Sequence, residues 1–165
     1  MLQALYARAW YNERCTEAYS FGRSSITMKD SFTISFTLPA GPDRIYDAWL
    51  SSEGHRAFTH SEAHVQPEAG GEFYAWDGYI SGKTIEMEPY HRILQQWRTT
   101  EFPPGSPDSI LEILLEGVTE GTRVTLNHSN LPKGTAEDYI QGWKDFYETP
   151  MREYFSKLDH QPPSR

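Results

Sequence analysis

Residues 135–158, TAEDYIQGWKDFYETPMREYFSKL, hold the longest helical pattern in this chain of 165 residues. Apolar side chains recur along one helix face at Ile140, Trp143, Tyr147, Met151, Tyr154 and Leu158, with Phe146 and Phe155 widening it. Thr135 is predicted to be the N-cap, with Asp138 reaching back to it. Pro150 removes the hydrogen bond to the Phe146 carbonyl, so we expect a kink there. A helix this long with one apolar face needs a large surface to cover it.

The residues before this helix supply that surface as strands. Phe32, Ile34, Phe36 and Leu38 alternate with polar residues, which indicates a strand with one buried face. Two short helical pieces follow, one opened by Pro42 and one over 52–58. Further strands are predicted at 64–66, 72–76, 79–87, 92–101, 109–118 and 122–129. Asp77-Gly78 predicts a two-residue hairpin between the second and third of these.

This order of elements predicts an α+β domain with a helix-grip fold. A curved antiparallel sheet of about six to seven strands would wrap around the long C-terminal helix, with two short helices after the first strand. The length fits one domain. We assign residues 28–160 to it, 1–27 to an N-terminal appendage that is helical or partly disordered, and 161–165 to a tail.

Composition excludes several classes of function. The formal net charge of −8 opposes nucleic-acid binding, which depends on Lys and Arg neutralising phosphates. No run approaches the ~20 apolar residues of a membrane span, and the N-terminus lacks a signal-peptide pattern, so we expect a cytoplasmic protein. Cys15 is the only cysteine, which excludes an internal disulfide and a cysteine-based zinc site.

Aromatic residues make up 14% of the chain, and large rings tend to line pockets. We therefore expect an apolar cavity between the sheet and the last helix. The side chains predicted to bind a ligand there are Trp49, Phe58, Trp76, Ile85, Trp97, Ile113, Leu126, His128, Tyr139, Trp143 and Tyr147. His128 shares a strand face with Val124 and Leu126, so it either offers a hydrogen bond to the ligand or is a core histidine bonded within the protein.

No catalytic constellation stands out. His60, Glu62 and His64 have the spacing of zinc ligands on one face of a strand, but they equally suit a solvent-facing segment. Glu112 and Glu116 alternate with the apolar face of their strand and should point outward. We predict no metal, no cofactor and no enzymatic activity; an enzyme of the cyclase or hydrolase kind, using His128 or the His60/His64 pair, is the alternative.

Several short motifs, in this order, resemble a known family. They are Gly70-Gly71-Glu72-Phe73, residues 77–82, Pro89 with Arg92-Ile93, residues 96–98 leading to 102–105, residues 122–128, and Gly142-Trp143 with Tyr147. The set is similar to the family of the activator of heat-shock protein 90 ATPase, within the superfamily of START-related and birch-pollen-allergen-like domains. The resemblance implies a cavity for a small apolar or lipid-like molecule and a stress-related role. It also implies an alternative function as a co-chaperone-like interaction module for a heat-shock protein 90 type chaperone.

Overall fold

The computed structural model describes residues 29–159. The predictions for residues 1–27, for Cys15 and for the tail therefore lie outside the described residues. The strands are β1 (Asp30–Leu38), β2 (His64–Val65), β3 (Glu72–Ala75), β4 (Ile80–Glu88), β5 (Arg92–Thr99), β6 (Ser109–Val118) and β7 (Gly121–Leu131). The helices are α1 (Pro42–Trp49), α2 (Ser52–Thr59), α3 (Ala136–Trp143), a π-helical segment (Lys144–Glu148) and α4 (Thr149–Asp159).

The strands form one antiparallel sheet in the order β1-β7-β6-β5-β4-β3-β2. From β2 to β7 each strand pairs with the next along the chain. The first strand, β1, pairs with β7 and so forms one edge of the sheet. Side chains alternate as their sequence predicts. On β6, Leu111, Ile113 and Leu115 are buried, whereas Glu112 lies on the other face, where Arg92 binds it at 2.6 Å. The predicted helix-grip fold is confirmed.

Regular α-helix is interrupted just before Pro150, the residue at which the sequence predicts a kink. Proline has no N–H, so it cannot continue the regular ladder, and the five residues Lys144–Glu148 adopt π-helical geometry instead. Regular helix resumes with Thr149 and Pro150 in its first turn. The interruption lies over the buried face of the sheet and brings Phe146 and Tyr147 against Trp76.

The N-terminus of α3 is capped differently from the prediction. Thr135 occupies the N-cap position, but its side chain accepts no capping bond and its hydroxyl donates to the Pro132 carbonyl. A carboxylate oxygen of Asp30, on β1, instead accepts from the backbone N–H groups of Gly134 and Ala136 at 2.8 and 3.2 Å. The cap thus joins the start of the sheet to the start of the C-terminal helix.

The hairpin between β3 and β4 also differs from the two-residue turn predicted at Asp77-Gly78. Ala75 pairs with Ile80, so the loop has four residues, and Trp76, Asp77 and Gly78 all have positive φ, at 54°, 55° and 84°. Contacts distant in sequence explain this: the Asp77 N–H donates to the Glu62 carbonyl, and the Asp77 carboxylate accepts from the Glu62 N–H. These bonds hold the turn away from the strand ladder.

The segment from His60 to His64 is not the extended strand that a zinc site on one strand face requires. His60 ends α2 with a left-handed backbone, φ 55°, and only His64 and Val65 belong to a strand. His60, Glu62 and His64 are exposed. Within residues 29–159 no group of three or more His, Cys, Asp or Glu side chains is arranged to hold a metal ion.

Candidate functional site

A small cavity lies between the C-terminal helical region and the β3–β5 side of the sheet. It has about 70 Å³ of free volume and is partly open to solvent. Seven aromatic side chains form most of its wall. The lining residues are Trp76, Tyr79, Ile80, Trp97, Thr99, Asp138, Tyr139, Gly142, Trp143, Phe146 and Tyr147.

The predicted site residues divide into three groups. Those that line the cavity are Trp76, Trp97, Tyr139, Trp143 and Tyr147. Those that are buried but lie outside the lining are Trp49, Phe58, Ile113, Leu126 and His128. Ile85 differs most: it lies at a bulge in the β4–β5 pairing and is 38% exposed. The bulge falls between Thr84 and Glu86 and places Ile85 away from the cavity.

Several lining residues were missed from the sequence, although some carried a signal. Asp138, Gly142 and Phe146 recur every four residues, beside the row of Tyr139, Trp143 and Tyr147 on the same helical region. Thr99 follows Trp97 by two residues on β5 and therefore shares its face. Tyr79 and Ile80 reach the cavity through the four-residue loop, which the sequence did not reveal.

His128 is a buried histidine whose two ring nitrogens are both bonded within the protein. Ser109 donates its hydroxyl to the Trp97 carbonyl at 2.7 Å, so its oxygen accepts from His128 Nε2–H at 2.9 Å. Trp143 Nε1–H donates to His128 Nδ1 at 3.1 Å. Burial lowers the pKa of His128 to about 3. The neutral ring is therefore fully used in holding β6, β7 and α3 together, and neither nitrogen is available to a ligand.

His55, a second buried histidine, was not singled out from the sequence. Its Nδ1 lies 3.1 Å from the Trp49 carbonyl, which can only accept, so Nδ1 carries the proton. Its Nε2 then accepts from the Tyr147 hydroxyl at 3.4 Å. Burial lowers the pKa of His55 to about 4, and burial raises the pKa of Tyr147 above its usual range. This pair joins α2 to the π-helical segment behind the cavity wall.

Trp76 combines two features that are rare in a protein core. Its backbone is left-handed, which is strained for a large side chain, and its ring is only 4% exposed. Its indole N–H is buried with no hydrogen-bond partner in the part of the chain that the structure describes. The indole N–H lies near the Tyr147 hydroxyl and lowers its pKa slightly, against the larger rise caused by burial. The geometry between the two groups is nevertheless not that of a hydrogen bond.

The remaining polar groups of the cavity lie toward its α3 side. Thr99 and Tyr139 share a hydrogen bond between their hydroxyls at 3.0 Å. Asp138, in the first turn of α3, is partly buried and brings the one charged side chain of the lining. The site thus pairs apolar, aromatic walls with a few hydroxyls and one carboxylate.

Comparison with known proteins places this fold in a family. The family model described as "Activator of Hsp90 ATPase homolog 1-like protein" matches residues 39–156. The chain belongs to this family. The match begins after β1 and ends within α4, so it includes every residue that lines the cavity.

Relatives in sequence and in structure support this assignment. The human activator of 90 kDa heat shock protein ATPase homolog 1 is 28% identical over 130 residues, which cover 79% of this chain and 36% of that protein. The crystal structure of an HSP90 activator from Plasmodium falciparum matches with a TM-score of 0.70 at 22% identity, covering 76% of this chain and 96% of that one. Ara h 8.0201 has a TM-score of 0.62 at 13% identity, with 81% and 100% covered.

The chain spans about a third of the length of the curated human relative it matches. Among the described residues, no helix has the length and apolar character needed to cross a bilayer.

Proposed function

We propose that the protein binds a small apolar or amphipathic molecule in the cavity between sheet and C-terminal helical region, without catalysing a reaction on it. The observation that carries this proposal is the open cavity walled by seven aromatic side chains. Ligand sites are typically concave and mainly apolar, with a few placed polar groups. The π-helical segment and the strained Trp76 backbone both lie in the wall, and such irregularities concentrate at functional sites.

The size of the cavity limits what it can enclose. Its volume of about 70 Å³ is smaller than the ~150 Å³ of an engineered cavity that accepts benzene. Because the cavity is partly open to solvent, one end of a molecule can enter while the rest stays outside. Ligands are therefore expected to be small, or elongated with one compact end.

Gly142 offers a way to close the cavity without disturbing the fold. It lines the cavity, and a Cβ added there would meet no heavy atom within 4 Å. Gly142→Leu should fill the space, while leucine also favours the helix over glycine. Gln141→Leu adds a similar side chain at the exposed neighbouring position and is the matched control.

Binding is tested by titrating the purified protein with a panel of small aromatic, aliphatic and amphipathic compounds. Tryptophan fluorescence reports on it because Trp76, Trp97 and Trp143 line the cavity, and native mass spectrometry detects bound species directly. We expect at least one compound to bind the wild type and the Gln141→Leu variant but not Gly142→Leu. No response from any compound, or equal binding to Gly142→Leu, would overturn the proposal.

A second candidate function is interaction with a chaperone of the heat-shock protein 90 type. Membership of the activator family and the 28% identity to the human activator support it. A pull-down with the purified chaperone tests the interaction, and absence of retention at micromolar concentrations removes this candidate. The Gly142→Leu variant separates the two roles: a surface interaction survives filling of the cavity, and ligand binding does not.

A further inference from the structure

Asp138 is a carboxylate beside the aromatic wall whose side chain has no partner among residues 29–159. No side-chain hydrogen bond or ion pair joins it to another described residue, and no Lys or Arg lines the cavity. By contrast, the partly buried Asp108 and Glu112 are each bonded to an arginine. A carboxylate in the first turn of a helix is also stabilised by the helix dipole. Glu137 lies in the same turn of α3 but does not line the cavity, whereas Asp138 does. The Asp138 carboxylate can therefore interact with a ligand in the cavity as well as with the dipole of α3.

The aromatic walls favour positive charge as well. The rings of Trp97 and Tyr139 stand nearly perpendicular, with centroids 5.5 Å apart and an angle of 85°, and those of Trp76 and Phe146 are 5.4 Å apart at 78°. Ring faces are electron-rich, so a cation close to them is attracted, and sets of aromatic rings bind quaternary ammonium groups. An anionic head group, in contrast, would meet Asp138 with no cation in the lining to balance it.

Hydrogen bonding decides which kind of cation fits. The Thr99 and Tyr139 hydroxyls are bonded to each other, and the Tyr147 hydroxyl is bonded to His55. A primary ammonium carries three N–H donors that each need an acceptor, and Asp138 is the one described lining side chain that offers acceptor oxygens not already bonded in this way. A fully alkylated ammonium has no N–H donor, so it loses no hydrogen bond on entering.

We propose that the cavity receives the fully alkylated ammonium end of a small molecule, with the aromatic rings around it and Asp138 as its counter-charge. This rests on the proposed function and adds the charge and chemical class of the ligand. The cavity is partly open to solvent, so the remainder of such a molecule can stay outside. The net charge of −8 adds a long-range attraction for cations.

Two probes of the same shape separate charge from size. Choline carries a trimethylammonium group, and 3,3-dimethylbutan-1-ol replaces its nitrogen with carbon and is neutral. We expect choline to bind at least about tenfold more tightly, as measured by calorimetry and tryptophan fluorescence, because cation–π contacts add to the apolar contacts that both probes make. Raising the salt concentration should weaken choline binding alone.

Removing the carboxylate tests the role of Asp138. Asp138→Asn should weaken choline binding by about fivefold, the range of a partly exposed charge pair, and leave the neutral alcohol unaffected. Glu137→Gln removes the same charge from the same helical turn outside the cavity, so it should change neither affinity.

The outcomes distinguish this inference from the proposed function. Equal affinity of the two probes, or an unchanged choline affinity in Asp138→Asn, overturns the ammonium inference while leaving a cavity that binds neutral molecules. If neither probe binds the wild type, the inference is also overturned, and the wider compound panel with Gly142→Leu decides the proposed function separately.

Discussion

The indole Nε1–H of Trp143 donates a hydrogen bond to Nδ1 of His128 at 3.1 Å, inside the core. The bond joins α3 to β7 and fixes the neutral histidine with its proton on Nε2. The Ser109 oxygen accepts a hydrogen bond from this Nε2–H group. Trp143 also lines the cavity, so the same side chain forms its wall and supports it from behind.

Trp143→Phe should destabilise the protein more than Trp76→Phe. Both changes replace an indole by a phenyl ring in the same wall, but only Trp143 has a bonded N–H. Leaving His128 Nδ1 buried without a donor costs about 1–3 kcal/mol. Urea unfolding of both variants measures the difference, and equal losses would show that the Trp143–His128 bond contributes nothing.

Stability should fall on acidification below about pH 6.5, the ordinary histidine value in an unfolded chain. Burial lowers the pKa of His128 to about 3 and that of His55 to about 4. Between these limits the unfolded state binds protons that the folded state does not, so the free energy of unfolding rises with pH. Each histidine contributes a slope of about 1.4 kcal/mol per pH unit. This contribution is fully present above pH 6.5 and is lost progressively as the pH falls, toward pH 4 for His55 and toward pH 3 for His128.

Urea unfolding at several pH values checks this slope. His128→Gln should reduce it, because it removes one of the two histidines whose pKa is lowered by burial. In the folded wild type, the NMR signals of the His128 and His55 rings should not titrate between pH 7 and 5. Titration of either ring in that interval would contradict the prediction.

Asp30→Ala should destabilise the protein by about 1 kcal/mol, the usual effect of losing an N-cap acceptor. The substitution removes the acceptor for the N–H groups of Gly134 and Ala136. Asp30→Asn keeps an acceptor oxygen at the same place and should recover most of the loss. Thermal and urea unfolding compare the two, and an unchanged midpoint in Asp30→Ala would mean that water caps the helix equally well.

Gly82→Ala should be strongly destabilising, by roughly 1–3 kcal/mol or more. A Cβ at Gly82 would collide with the Gln96 carbonyl oxygen and lie 2.6 Å from the Phe73 ring. Gly117 is also in a strand, but a Cβ there meets nothing within 4 Å, so Gly117→Ala is the control and should be nearly neutral. Similar unfolding midpoints for the two variants would contradict the close approach at Gly82.

The elements of this fold were predictable because their signals are local. Alternation on β1 and β6 and the helical spacing of Ile140, Trp143 and Tyr147 depend only on neighbouring residues, and the structure confirms the strands and helices that they predict. Proline chemistry is also local, so the interruption near Pro150 could be predicted. The π-helical form of that interruption depends on packing against the sheet and could not be predicted in this way.

The features that sequence reasoning missed depend on contacts between distant residues. Asp77 forms hydrogen bonds with Glu62 instead of lying in a two-residue turn. Asp30, and not a residue of the first turn, caps α3. The same limitation applies to the site. Spacing indicated which residues share one face of the last helical region, but it gave no sign of His55 behind Tyr147 or of Ile85 displaced by a bulge.

The pairing of β1 with β7 and the bond between Asp30 and Ala136, 106 residues apart, also have a consequence for biosynthesis. During translation β1 leaves the ribosome long before its partner strand exists, and its hydrogen-bonding edge has no neighbour until β7 follows. The sheet can therefore be completed only after nearly the whole domain has been made. A nascent chain of this protein is expected to need protection from aggregation over that interval, when its first strand is an unpaired edge.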